Sequence, residues 1–134
     1  MFVEKKVLVV DDQVVMGDIV KEIFDGTDVA VIAAIDSAEA LTICAREKID
    51  VVVTDVMLPG VKGTDLYYAL KEKNPFVQIV VMTAYPCKND VLSMVKNGAC
   101  DFLLKPFDPE DLRKIIVAAF ERLERWEPLR QECS

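Results

Sequence analysis

Five short apolar runs recur along the chain, at residues 7–10, 29–32, 51–53, 79–82 and 102–104, each continuous rather than alternating. A strand with one wet face alternates polar and apolar residues, whereas a continuous run suits a parallel strand covered on both faces. Helical spacing fills the gaps. Val15, Met16, Ile19, Val20, Ile23 and Phe24 make the first apolar stripe. Ala38, Leu41, Ala45 and Ile49 make the second, entered through Asp36 and Glu39 as a capping box. Leu66 and Leu70 mark the third. Val91, Met94 and Val95 mark the fourth, closed by Asn97-Gly98. The last opens on Asp108-Pro109-Glu110-Asp111, an N-cap, a proline at the first helical position and acids in the first turn. It runs through Leu112, Ile115, Ile116, Ala119, Phe120 and Leu123 to about Trp126. Strand and helix thus alternate five times, which predicts an α/β fold with a parallel sheet and right-handed crossovers. The 134 residues suit one domain, expected over 1–126, with 127–134 as a tail or the start of a linker.

Several function classes drop out on composition. The formal charge of −7 makes a poor surface for a nucleic-acid backbone, so direct DNA or RNA binding by this domain is not expected. The chain has no histidine, which removes a Ser-His-Asp triad, a histidine metal site and a phosphohistidine carrier. Cys44, Cys87, Cys100 and Cys133 have no CxxC spacing and read as small core residues or free thiols. No apolar run approaches the roughly 18 residues of a membrane span. The opening Met1-Phe2-Val3-Glu4-Lys5-Lys6 lacks the order of a signal peptide, so the expected location is cytoplasmic, with no membrane partner.

Open parallel sheets bind ligands outside the C-terminal ends of their strands. Here the first run ends in Asp11-Asp12, the third in Thr54-Asp55, the fourth in Thr83-Ala84 and the fifth in Lys105-Pro106. Neither GxGxxG nor GxxxxGK[ST] occurs, which argues against a nucleotide site. Each residue alone has a plain reading: a helix cap, a turn former before Leu58-Pro59-Gly60, a strand threonine, a solvated lysine. Together they do not. Three carboxylates within roughly 5 Å repel by about 3 kcal/mol per pair at an effective dielectric of about 20. Such a cluster needs cations. Lys105 supplies one charge, and all-oxygen donors suit Mg²⁺ for the rest. A carboxylate can attack phosphorus to form an acyl phosphate, with catalysis resting on position and charge neutralisation. The Thr83 hydroxyl can donate to a phosphoryl oxygen. Without histidine, the phosphoryl donor lies outside the chain.

The run Val7-Leu8-Val9-Val10-Asp11-Asp12, the segment Asp55-Val56-Met57-Leu58-Pro59-Gly60, the pair Thr83-Ala84 and Lys105-Pro106-Phe107 resemble the signature motifs of bacterial response regulator receiver domains. The resemblance covers about residues 4 to 124. It implies a flavodoxin-like, doubly wound five-stranded sheet of order 2-1-3-4-5. It implies a sensor histidine kinase as partner and Asp55 as phosphoacceptor, assisted by Lys105 and Thr83. Mg²⁺ would be held by Asp12, Asp55 and the backbone carbonyl of Met57, with Asp11 acting through a water. Thr83 and Phe102 would form the switch. Phe102 lacks the phenolic hydroxyl many receivers carry there, so its rotation answers to packing alone. The Lys105-Pro106 bond is expected to be cis. Met82-Thr83-Ala84-Tyr85 and Lys105-Pro106-Phe107-Asp108-Pro109 look nearest to nitrogen-regulator-like receivers linked to ATPases. Pro86 and Cys87 are less usual, and Pro86 would stiffen the loop after the fourth strand.

Output is expected through the fourth helix, fifth strand and fifth helix, about residues 89–97, 102–104 and 108–120, to a homodimer, an effector domain or a partner protein. The molecule is then no enzyme beyond its own phosphorylation and slow dephosphorylation. Two rivals stand beside this reading. A phosphatase-type hydrolase needs a second acid for its leaving group, and the rim offers none in an obvious place. A pseudo-receiver that never takes phosphate is argued against by the complete acid, threonine and lysine set.

Overall fold

A computed structural model describes residues 5–56, 63–84, 89–96 and 98–133. The chain alternates β1 (Lys5–Val10), α1 (Val14–Ile23), β2 (Val29–Ala34), α2 (Ser37–Arg46), β3 (Val51–Asp55), α3 (Gly63–Lys73), β4 (Gln78–Thr83), α4 (Asn89–Lys96), β5 (Asp101–Leu104) and α5 (Pro109–Cys133). All neighbouring strands pair parallel, in the order β2-β1-β3-β4-β5. This is the expected flavodoxin-like order.

Successive residues of a strand point to opposite faces, and both faces here are covered. Leu8, Val10, Val52, Ile79 and Val81 pack with Ala40 and Ile43 of α2, Leu66, Tyr67 and Leu70 of α3, and Met94 of α4. Val7, Val9, Val51, Val53, Val80 and Met82 pack with Met16 and Val20 of α1 and with Leu112, Ile116, Ala119 and Phe120 of α5. That two-sided burial explains the continuous apolar runs of β1, β3 and β4.

β5 departs from the expectation. It is an edge strand whose burial alternates, with Leu103 partly buried against the core that α5 covers while Phe102 and Leu104 are 51% and 44% exposed. Its apolar outer face is uncovered, so a continuous run did not mean two buried faces. The helix stripes also shift. Val15 is exposed on α1, and Phe24 packs just past its end. Asp36 caps α2 by accepting from the Glu39 N–H at 2.8 Å. The return bond from Glu39 goes to the Ile35 N–H at 3.5 Å, one residue before the cap. α5 does not stop near Trp126 but continues through Pro128 to Cys133. A proline removes one helical hydrogen bond. Here Glu127 and Arg130 bridge that turn at 3.0 Å, and Trp126 rests on Phe76, ring centroids 6.4 Å apart.

Two close approaches hold the frame. A Cβ on Gly17 would lie 2.7 Å from Ala33 Cβ, so glycine lets α1 settle directly on β2. Gly98, at φ 97°, turns the chain out of α4, with its N–H on Val95 and that of Ala99 on Met94. Cys44 and Cys100 are free thiols. No helix among the described residues is long and apolar enough to cross a membrane. Cys87, the Cys133 side chain, Pro86, Asn97 and the segment 57–62 lie outside the described residues.

Candidate functional site

The C-terminal ends of β1, β3, β4 and β5 form one rim. Asp11 follows β1 and is 3% exposed. Its N–H donates to Ala34 O at 3.0 Å, tying it to the end of β2. Its Oδ1 accepts the Gln13 N–H at 2.9 Å, which fixes the carboxylate at the entrance to α1. Asp55 ends the central strand β3 and is 9% exposed. Thr83 ends β4 and is buried; its carbonyl accepts the Lys105 N–H at 2.8 Å. That bond sets the lysine at the rim, and the Lys105-Pro106 peptide is cis, as expected.

Lys105 joins the carboxylates. Its Nζ donates to Asp11 Oδ2 at 2.8 Å and to Asp55 Oδ2 at 2.6 Å. Burial is the strongest single influence on this ammonium and pulls its pKa down. The hydrogen bonds to Asp11 and Asp55 and their charges together outweigh it, so the pKa ends above the usual lysine value. Lys105 therefore stays charged at neutral pH. Two carboxylates and one ammonium leave the trio one negative charge in excess, and Asp12 stands exposed beside them.

Of the expected site residues, Asp11, Asp55 and Lys105 come into direct contact, and Thr83 lies at the neighbouring strand end. Asp12 faces solvent. Met57 lies outside the described residues. Phe102 stands beside Val81 in the β4–β5 register, on the α4 side of the sheet, and points outward. The described residues hold no ready cluster of three acidic side chains for a metal ion. The donor set nonetheless suits a hard divalent cation, since every side-chain ligand offered is a carboxylate oxygen and the trio carries surplus negative charge. Sequence reasoning missed the Gln13 and Ala34 backbone contacts that orient Asp11. Backbone partners leave no mark in residue identity.

Comparisons with known proteins point to one family. A family model described as "Response regulator receiver domain" matches residues 7–117. The "Probable transcriptional regulatory protein TcrX" of Mycobacterium tuberculosis is 33% identical over 106 residues, 79% of this chain and 45% of that protein. The "DNA-binding response regulator MtrA" of Mycolicibacterium paratuberculosis is 34% identical over 120 residues, 88% of this chain and 52% of that protein. The chain spans about half the length of such curated relatives. Among solved structures, the chemotaxis response regulator CheY4 of Vibrio cholerae superposes with a TM-score of 0.76 at 28% identity, covering 87% of this chain and 99% of its own. NtrX from Brucella abortus, in complex with ADP, gives 0.79 at 26% identity, covering 98% of this chain and 30% of its own.

Proposed function

The chain belongs to the response regulator receiver domain family, and from that premise we propose that Asp55 is its phosphoacceptor. The observation that carries this reading is the placement of Asp55 at the end of the central strand, hydrogen-bonded to a charged lysine that also holds Asp11. An Asp55 carboxylate oxygen attacks the phosphorus of a phosphohistidine on a sensor histidine kinase. The new O–P bond forms as the N–P bond breaks, and the electron pair leaves with the imidazole nitrogen. Lys105 holds positive charge against the transferred group, and the Thr83 hydroxyl donates to one of its oxygens.

Mg²⁺, when bound, supplies further charge neutralisation and a template for the incoming phosphoryl oxygens. Asp12, Asp55 and the Met57 carbonyl would hold it directly, with Asp11 acting through a water. The acidic rim supports this set, and Asp12 is the carboxylate with the freest access to solvent ions.

The product is a switch rather than a turnover enzyme. Phosphorylation draws the Thr83 hydroxyl toward the phosphoryl group, Phe102 rotates in beside it, and the α4-β5-α5 face changes shape. A second copy, an effector domain or a partner protein reads that face. The net charge of −7 speaks against this domain touching nucleic acid itself. We assign the switch to residues 1–126, treat 127–134 as tail or linker, and place the protein in the cytoplasm. The test is intact-mass analysis after incubation with acetyl phosphate and Mg²⁺. Wild type should gain one phosphoryl group and Asp55→Asn none; equal labelling of both removes Asp55 from the role.

A further inference from the structure

Two consecutive tyrosines on α3 reach α4 at separate points. The Tyr68 hydroxyl lies 3.1 Å from Ser93 Oγ on α4, a hydrogen bond between residues 25 apart in sequence. Tyr67 is 1% exposed and shares the core with Met94 of α4. Its hydroxyl lies 3.5 Å from where a Cβ of Gly98 would stand, against the turn that ends α4. The two rings meet edge to face at 5.5 Å and 88°, so each steadies the other.

The described side chains of α4 are mostly exposed. Among the described residues it spans eight positions, fewer than any other helix. Of its described side chains Met94 alone is deeply buried, while Leu92 and Val95 are 51% and 52% exposed. A short helix is easily displaced, so an outside contact such as Tyr68–Ser93 adds to what fixes its position. Phe102 and Leu104 are exposed on the face of the sheet that α4 covers, the face where Thr83 ends β4.

We propose that Tyr67 and Tyr68 form a clamp that holds α4 in its resting position, with the Tyr68–Ser93 hydrogen bond as its adjustable jaw. The proposal rests on the phosphoryl switch argued above and adds the restraint it works against. Tyr67 is the fixed jaw, since removing a buried ring damages the core. Tyr68 is 45% exposed and Ser93 partly exposed, and neither is among the residues assigned to the Asp55 rim, so their hydroxyls can be removed while the assigned chemistry is kept.

Backbone hydrogen exchange and beryllofluoride titration in Mg²⁺ test this on wild type, Tyr68→Phe, Ser93→Ala and the double variant. Each single variant should raise exchange of the α4 amides by about 2- to 10-fold, the range one hydrogen bond spans. Each should also lower the beryllofluoride midpoint by a similar factor. The double variant should add little to either single one. Far-ultraviolet circular dichroism and the exchange of β1 and β3 should stay at wild-type values. Unchanged α4 exchange, additive effects in the double variant, or faster exchange with an unmoved midpoint each overturn the clamp. A wild type that does not respond to beryllofluoride overturns the switch itself, a failure distinct from a responsive wild type whose variants match it.

Discussion

The ammonium of Lys105 sits 2.6 Å from the carboxylate of Asp55, fifty positions earlier in the chain, and so welds the end of β5 to the end of β3 across β4. The same nitrogen reaches Asp11 beyond β3, at 2.8 Å. One side chain therefore ties together carboxylates delivered by two other strands.

Removing that side chain should cost stability. Breaking a fully buried pair costs about 3–5 kcal/mol. The lysine side chain is 20% exposed, so Lys105→Met is expected to lose less, about 1–3 kcal/mol, read as a lower urea midpoint. The pH dependence has a definite sign. The folded pKa of Lys105 lies above its unfolded value, so its contribution is fully present below the unfolded lysine pKa of about 10.4 and is lost as pH rises through the folded pKa. The stability gap between wild type and Lys105→Met should therefore narrow on going from pH 9 to strongly alkaline buffer. A constant gap means that the ion pair contributes nothing.

Mg²⁺ should raise the melting temperature, because the proposed site consists of acids that only the folded chain assembles. At 100 times its dissociation constant the stabilisation is about 2.7 kcal/mol. Asp12 is exposed, so Asp12→Asn should change metal-free stability by less than about 0.5 kcal/mol while abolishing most of the Mg²⁺ shift. Differential scanning calorimetry with and without the ion decides it.

Gly17→Ala should destabilise by about 1–3 kcal/mol, because the new methyl lies 2.7 Å from Ala33 Cβ between two backbones that cannot both yield. Ala33→Gly in the same chain should recover part of the loss. Urea melts of the single and double variants measure both.

Phe102→Ala should leave stability within about 0.5 kcal/mol, since the ring is already half in solvent. Labelling of Asp55 should persist. Chemical-shift changes on beryllofluoride activation should then stop at the rim instead of spreading to α4 and β5, which two-dimensional NMR reads directly.

The sheet was legible in the sequence because burial on both faces writes itself as uninterrupted Val, Leu and Ile in β1, β3 and β4. It was misread at β5, where Phe102 and Leu104 are just as apolar but uncovered; hydrophobicity records the side chain, not what stands opposite it. The end of α5 was misread for a different reason. Pro128 is a local stop signal, but the Glu127–Arg130 pair and the seat of Trp126 on Phe76 lie around it. The placement of Asp11, Asp55, Thr83 and Lys105 was legible because each stands at or just past the end of a strand. The contacts that aim them were not: the Ala34 carbonyl and Gln13 amide are backbone atoms, and the Tyr68–Ser93 bond joins two residues with no signature spacing.

The edge position of β5 bears on how the rim can fail. Lys105 is delivered by a four-residue strand held by a ladder to β4 on one side only. Edge segments of this length fray at a fraction of the free energy needed to unfold the whole domain. Each fraying event withdraws the ammonium while the carboxylates stay fixed on the inner strands. The competent state of the rim is thus less durable than the fold itself, and mild heat or denaturant should silence the chemistry before the sheet melts.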